Sequence, residues 1–202
     1  MGKAGAKDPH ITGRGPDPRA ERSRAAALAA ASDLLIESGW AGVTHVSVAA
    51  RSGVGRTTLY RHWPESAMLI QQLLADLFQV EPVERTGELR ADLIGELRQF
   101  LGLLHNPQSE RALRVIIDQA PLDPRYAEVL GACSRKGTDG LREIVDGAKA
   151  RGELPADLDT DVAIDHLLGP LVFRRLISGT AFEDRYVPDL VDGFLAARAP
   201  RA

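Results

Sequence analysis

Cysteine occurs once in the 202 residues, at Cys133, so no disulfide can form within the chain. No group of His, Cys and acidic residues has the spacing of a zinc site, and no metal is expected. Aromatic residues make up only 5% of the chain and β-branched runs are short, which leaves little material for a sheet. No apolar run is long enough to span a bilayer, and no hydrophobic signal core follows Met1, so a cytoplasmic location and no membrane partner are expected. A phosphate-cradling glycine loop, a nucleophile–base pair and a convergent set of ionisable side chains are all missing as well. An enzyme in a helical scaffold is therefore disfavoured, and no cofactor is called for.

What is present is alanine, leucine and arginine in quantity, a composition that leans towards helix. Hydrophobic residues at 44% and charged residues at 26% suit a soluble globular chain with a true core. The formal net charge is −3, which by itself argues against a nucleic-acid partner. Its distribution argues the other way. Residues 1–63 hold nine Lys and Arg against five Asp and Glu, a net +4; residues 64–202 hold sixteen against twenty-three, a net −7. A basic front on an acidic body points to a division of labour, because the field near a site matters more than the total.

Residues 1–18 (MGKAGAKDPHITGRGPDP) are rich in Gly, Pro and charge, without periodicity, and read as a disordered tail whose Lys3, Lys7 and Arg14 are solvated or, as the alternative, reach DNA as an arm. A first helix is predicted over about Arg19–Ser38, with an apolar stripe through Leu28, Ala31, Leu34 and Leu35 and Gly39 ending it. Thr44 is placed to cap a short helix over His45–Ser52. After Gly53, Val54 and Gly55 comes a helix from Arg56 to Trp63, stopped by Pro64. Further helices are predicted at about Glu65–Gln79, Gly87–His105, Ser109–Gln119, Pro124–Arg151, Thr160–Ser178 and Asp184–Arg198, with Pro170 kinking the second-last. The fold class is all-α.

The stretch SGVGRTTLYRHW, Ser52–Trp63, concentrates the chemistry. As a helix it places Leu59 and Trp63 on one face and leaves Thr57, Thr58, Arg61 and His62 on another. Two short helices joined by a tight glycine turn need a small residue at the crossing, a Gly in the turn and an aliphatic plug in the second helix. Ala49, Gly53 and Leu59 meet those needs in order, with Val48 and Val54 as apolar neighbours. This is helix-turn-helix spacing, in which the second helix enters the DNA major groove. Thr and Arg side chains suit base edges and phosphates, and the Tyr60 hydroxyl suits a phosphate. Arg56, at the helix start with its exposed amides, also suits a phosphate oxygen. Thr44 serves as helix cap, as phosphate contact, or as both.

The segment VTHVSVAARSGVGRTTLYRHWPESAMLI resembles the DNA-binding region of the TetR (tetracycline-repressor-like) family. Ser52-Gly53-Val54 stands for the family's turn, and Thr58-Leu59-Tyr60-Arg61-His62-Trp63 for its recognition helix. Many members carry a Lys soon after the final aromatic; here that position is Ser66, and Arg56 at the other end of the helix is the candidate replacement for the lost charge. The end of the chain, RGELPADLDTDVAIDHLLGPLVFRRLISG, is similar to a carboxy-terminal subgroup of the same family.

The resemblance implies a DNA-binding domain over residues 19–80 and an effector-binding, dimerising helical bundle over residues 83–202. It implies double-stranded DNA with a roughly palindromic operator, a second copy of the chain and an unidentified small-molecule effector as partners, and a transcriptional regulator, most often a repressor, as function. Thr44, Arg56, Thr57, Thr58, Tyr60, Arg61 and His62 are then the expected DNA contacts. Val48, Ala49, Gly53, Val54, Leu59 and Trp63 form the motif's own core. Leu104, Ile117, His166 and Phe173 are candidates for an effector pocket, and Leu167, Leu171, Ile177, Leu190 and Phe194 for the dimer interface. A DNA-binding or scaffold protein without an effector is the competing reading.

Overall fold

The computed structural model describes residues 18–79 and 83–198. Among them there are helices and no strands: α1 (Pro18–Gly42), α2 (His45–Ser52), α3 (Arg56–His62), α4 (Ser66–Leu77), α5 (Leu89–His105), α6 (Pro107–Gln119), α7 (Pro124–Ala150), α8 (Thr160–Val172) and α9 (Tyr186–Arg198). The expected tail lies outside the described residues except for Pro18, which opens α1 instead; a proline in the first turn forfeits no intrahelical hydrogen bond. The chain divides into two compact units, with the break after Ile70 inside α4.

In the first unit α1 packs on α2 and α2 on α3. Helical geometry in α1 fails at Gly39, whose φ of 67° lies in the left-handed region. The buried apolar set is Ala27, Ala30, Ala31, Leu34 and Leu35 of α1, Val43, Val48 of α2, Leu59 of α3, Trp63, and Leu69 and Ile70 of α4. The alanines matter because small side chains let neighbouring helices approach closely.

In the second unit α5 is the common neighbour, touching α6, α7, α8 and α9. Its start is organised by Asp92, which accepts hydrogen bonds from the backbone N–H and hydroxyl of Thr86 and from the Gly87 N–H. Burial disfavours the charge on Asp92, yet these three donors hold its carboxyl below the usual range. Leu93, Leu97, Leu104, Leu141, Val145, Leu167, Leu171 and Val191 lie at the centre of the core.

Pro170 does not end α8, but the helix changes character after it. Phe173–Ile177 forms a π-turn, closed by the Ser178 N–H donating to the Phe173 carbonyl. Proline removes one donor from the ladder, and a wider turn is one way for the backbone to accommodate this. Arg114 donates to the carbonyls of Leu176 and Arg175, and Arg175 donates to the Leu104 carbonyl and to Glu110. Glu110 is thereby held by two guanidinium groups, with Arg114 the stronger influence lowering its pKa.

Several expectations for this unit need correction. Leu167 and Leu171 are fully buried in the chain's own core, and Phe194 is only 7% exposed, so none presents a broad surface to a partner. The outward stripe of α8 and its π-turn is Val162, His166, Gly169, Phe173 and Ile177, joined on α9 by half-buried Leu190 and exposed Gly193 and Ala197. Phe173, 60% exposed, and Ile177, 71% exposed, dominate it. The four residues expected to line an effector pocket do not share an environment. Leu104 is sealed in the core, Ile117 is 42% exposed on α6, and His166 and Phe173 lie on the α8 stripe. A groove of about 450 Å³ on α8 and α9 is lined by His166, Asp189, Leu190, Gly193, Phe194, Ala197 and Arg198; of the four it includes His166 alone. The reason is the composition of α8: in AIDHLLGPLVF apolar residues occur on every side, so spacing does not reveal which flank faces inward.

Candidate nucleic-acid interface

The start of α2 is built by Thr44. Its hydroxyl accepts the Ser47 N–H at 3.1 Å while the Ser47 hydroxyl accepts the Thr44 N–H at 3.0 Å, a reciprocal capping box. Ser47 also donates to the Gly42 carbonyl at 2.7 Å, tying the cap to the end of α1. Thr44 is therefore a helix cap that remains exposed at the surface. At the other end Gly53 takes φ 71° and ψ 2°, and its N–H closes on the Ala49 carbonyl at 3.0 Å. A side chain at Gly53 would meet no steric obstacle within 4 Å, so the demand for glycine there comes from the left-handed backbone alone.

α3 has seven residues, too few to be stable by itself. Leu59, with no exposed surface, and Trp63, 4% exposed, hold it to the unit. Arg24 of α1 lies over the Trp63 ring at 6.0 Å. The opposite face is open: Arg56, Thr57, Tyr60, Arg61 and His62 are exposed and Thr58 is half-buried. Val48 is buried, Ala49 and Val54 are half-buried, and Gly53 is exposed in the turn. The arrangement brings the seven residues expected to meet DNA onto α3 and the first turn of α2, and puts the hydrophobic ones behind them. Ser66 opens α4, half-buried.

One residue of this region escapes the sequence pattern. His45 is 7% exposed, its Nε2 lies 2.7 Å from the Trp63 carbonyl oxygen, and its ring stacks on that of Tyr60 with centroids 4.1 Å apart and planes inclined by 22°. Its spacing from buried Val48, i and i+3, is the signal that could have found it. Nearby, Arg51 at the end of α2 makes a two-pronged pair with Glu37 of α1 at 2.8 and 2.7 Å. The Arg51 hydrogen bond lowers the Glu37 pKa, and Glu37 raises that of Arg51 in return. The pair fastens α2 to α1 on the exposed side.

Two family models match the chain. The amino-terminal one, bacterial regulatory proteins of the tetR family, covers residues 27–73; the tetracyclin repressor-like carboxy-terminal domain covers residues 83–194. The chain is 32% identical to the Bacillus subtilis HTH-type transcriptional regulator YdeS, itself described as uncharacterized, over 86% of this chain and 88% of that one. It is 30% identical to a DNA-binding transcriptional repressor TetR of Mycobacteroides abscessus, over 88% and 94% of the two. Among solved structures, the TetR family transcription regulator SCO0332 matches at 30% identity with a TM-score of 0.60, over 89% of this chain and all of that one. The flavonoid-responsive regulator FrrA shares the fold with a TM-score of 0.70 at 20% identity, over 90% of this chain and all of that one. With both of its halves matched in this way, the chain belongs to the TetR family of bacterial helix-turn-helix transcriptional regulators.

Proposed function

We propose that the chain acts as a dimeric repressor that reads a roughly palindromic operator through α3 and leaves it when a small molecule binds the second unit. One observation carries the DNA-reading part. α3 is anchored by Leu59 and Trp63 from behind, and its other face offers Arg56, Thr57, Tyr60, Arg61 and His62 to the outside. Such a face supplies bidentate and hydroxyl donors for base edges and phosphates. Thr44 and Thr58 flank it and complete the contact set.

Pairing is supported by the stripe on α8 and α9. Val162, Phe173, Ile177 and Leu190 expose apolar surface along two helices, with Gly169 and Gly193 allowing close approach. A second copy related by a two-fold axis would bury it as a four-helix bundle. The two copies of α3 would then address half-sites about 34–36 Å apart. The effector belongs to the carboxy-terminal domain and acts only through its differential affinity for two dimer states.

The test is fluorescence anisotropy with duplex DNA from upstream of the protein's own gene, across a salt series and against random competitor. Competitor-resistant binding with a slope of about −0.9 per phosphate neutralised supports the proposal. If the protein also fails to enrich any sequence from a random duplex library, the reading of α3 is wrong. Release of bound DNA by a metabolite, dependent on its concentration, separates a ligand-released repressor from a regulator without an effector.

A further inference from the structure

The last turn of α3 has an unusual support. The final carbonyls of a helix have no partner within it. In α3 the Trp63 N–H closes back on the Leu59 carbonyl at 2.8 Å, while the Trp63 carbonyl points out of the helix, with a proline next in the chain. That oxygen is met by the buried imidazole of His45, eighteen residues earlier and the first residue of α2. A carbonyl can only accept, so Nε2 carries the hydrogen and donates it. The same imidazole lies flat against the Tyr60 ring. One side chain thus holds two residues of the recognition helix, Tyr60 and Trp63, which stand one turn apart. Tyr60 remains 52% exposed with its other surface turned outwards.

We propose that His45 is a positioning residue for DNA recognition. It fixes the tilt of α3 through the Trp63 carbonyl and the plane of the Tyr60 ring by stacking, so that operator affinity depends on a side chain that itself stays covered. Leu59 and Trp63 set how deep α3 sits; they do not set where the Tyr60 ring points. The inference rests on α3 being the recognition helix, and it adds the device that aims it.

Three variants separate the two grips. His45→Ala removes both, His45→Phe keeps a ring for Tyr60 but no donor, and His45→Gln keeps an N–H within reach but no ring. The probe is the duplex that the full-length wild-type chain enriches most from a random library, with each variant checked for an intact fold by its melting curve. His45→Ala is expected to weaken binding about tenfold. The separate cost of Tyr60→Phe, which removes the hydroxyl, should vanish when it is made on top of His45→Ala, as Tyr60 loses its aim. His45→Phe is expected to keep that cost while binding more weakly than wild type, and His45→Gln to lose the cost while keeping most of the affinity. Wild-type affinity with the full cost of Tyr60→Phe in the folded variants would overturn the proposal, as would an affinity loss that merely follows the melting temperature, or a Tyr60→Phe change without cost in the wild-type chain. If His45→Ala does not fold, the Phe and Gln variants decide by the same two readouts. A wild-type chain that enriches no duplex would overturn the reading of α3 itself, an outcome distinct from the others.

Discussion

Arg61 is exposed and joins none of the ion pairs found among the described residues, and the same holds for Arg56. Elsewhere arginines are committed: Arg51 to Glu37, Arg85 to Glu96, Arg90 to Asp192, Arg142 to Asp161 and Arg175 to Glu110. A guanidinium that needs to break no existing pair can be given to DNA at little cost. Arg61→Ala is therefore expected to weaken operator binding by about 1–3 kcal/mol and to relax preference at one base pair, provided it reads a base. Anisotropy with single-position variants of the selected duplex measures both. Equal affinity and an unchanged footprint would remove Arg61 from the interface. The exposed residues of α3 were legible from spacing, because a seven-residue helix with two anchors has only one free side. His45 was not, because a polar residue at a helix start ordinarily reads as solvated. Its burial depends on Tyr60 and the Trp63 carbonyl, which come together only in the folded unit.

At the scale of elements, local chemistry marks its boundaries well. α2 spans His45–Ser52 as predicted, since Thr44 and Gly53 are signals that act on their own neighbours. α6 starts two residues before the predicted Ser109, because Asn106 caps it through the N–H groups of Gln108 and Ser109 and Pro107 fits the first turn. α8 shows the opposite case. Its start at Thr160 is readable but its inner face is not, and spacing alone puts Leu167 and Leu171 on the wrong side. α3 depends on packing more than on propensity, and Leu59 is its fully enclosed anchor. Leu59→Asp would place a carboxylate where no water reaches it, which unseats the helix. Operator binding is expected to vanish by mobility shift while sedimentation still reports a dimer. Retained binding would mean that a residue other than Leu59 plugs the motif, and that its register along the chain is different.

Over the whole molecule, charge and apolar surface are sorted to different places. Residues 1–63, net +4 in sequence, include the open face of α3, and residues 64–202, net −7, include the stripe of Phe173 and Ile177. Ile177→Asp, at a position 71% exposed, costs the single chain little of its own core but would bury a carboxylate in the proposed interface between two copies. Sedimentation velocity is expected to show a monomer with a near-normal melting curve, and operator affinity should fall because two half-sites are no longer linked. A dimer of unchanged stability would move the interface elsewhere.

If that stripe pairs two copies as proposed, the regulator is also sensitive to dose. Where pairing is needed to grip both half-sites, the competent species grows roughly as the square of the amount of chain while most copies are single, and mass action ties folding stability to the same quantity. Halving expression would then cut occupancy by more than half. A gene under this control would answer to the protein's abundance as a threshold, before any effector is present.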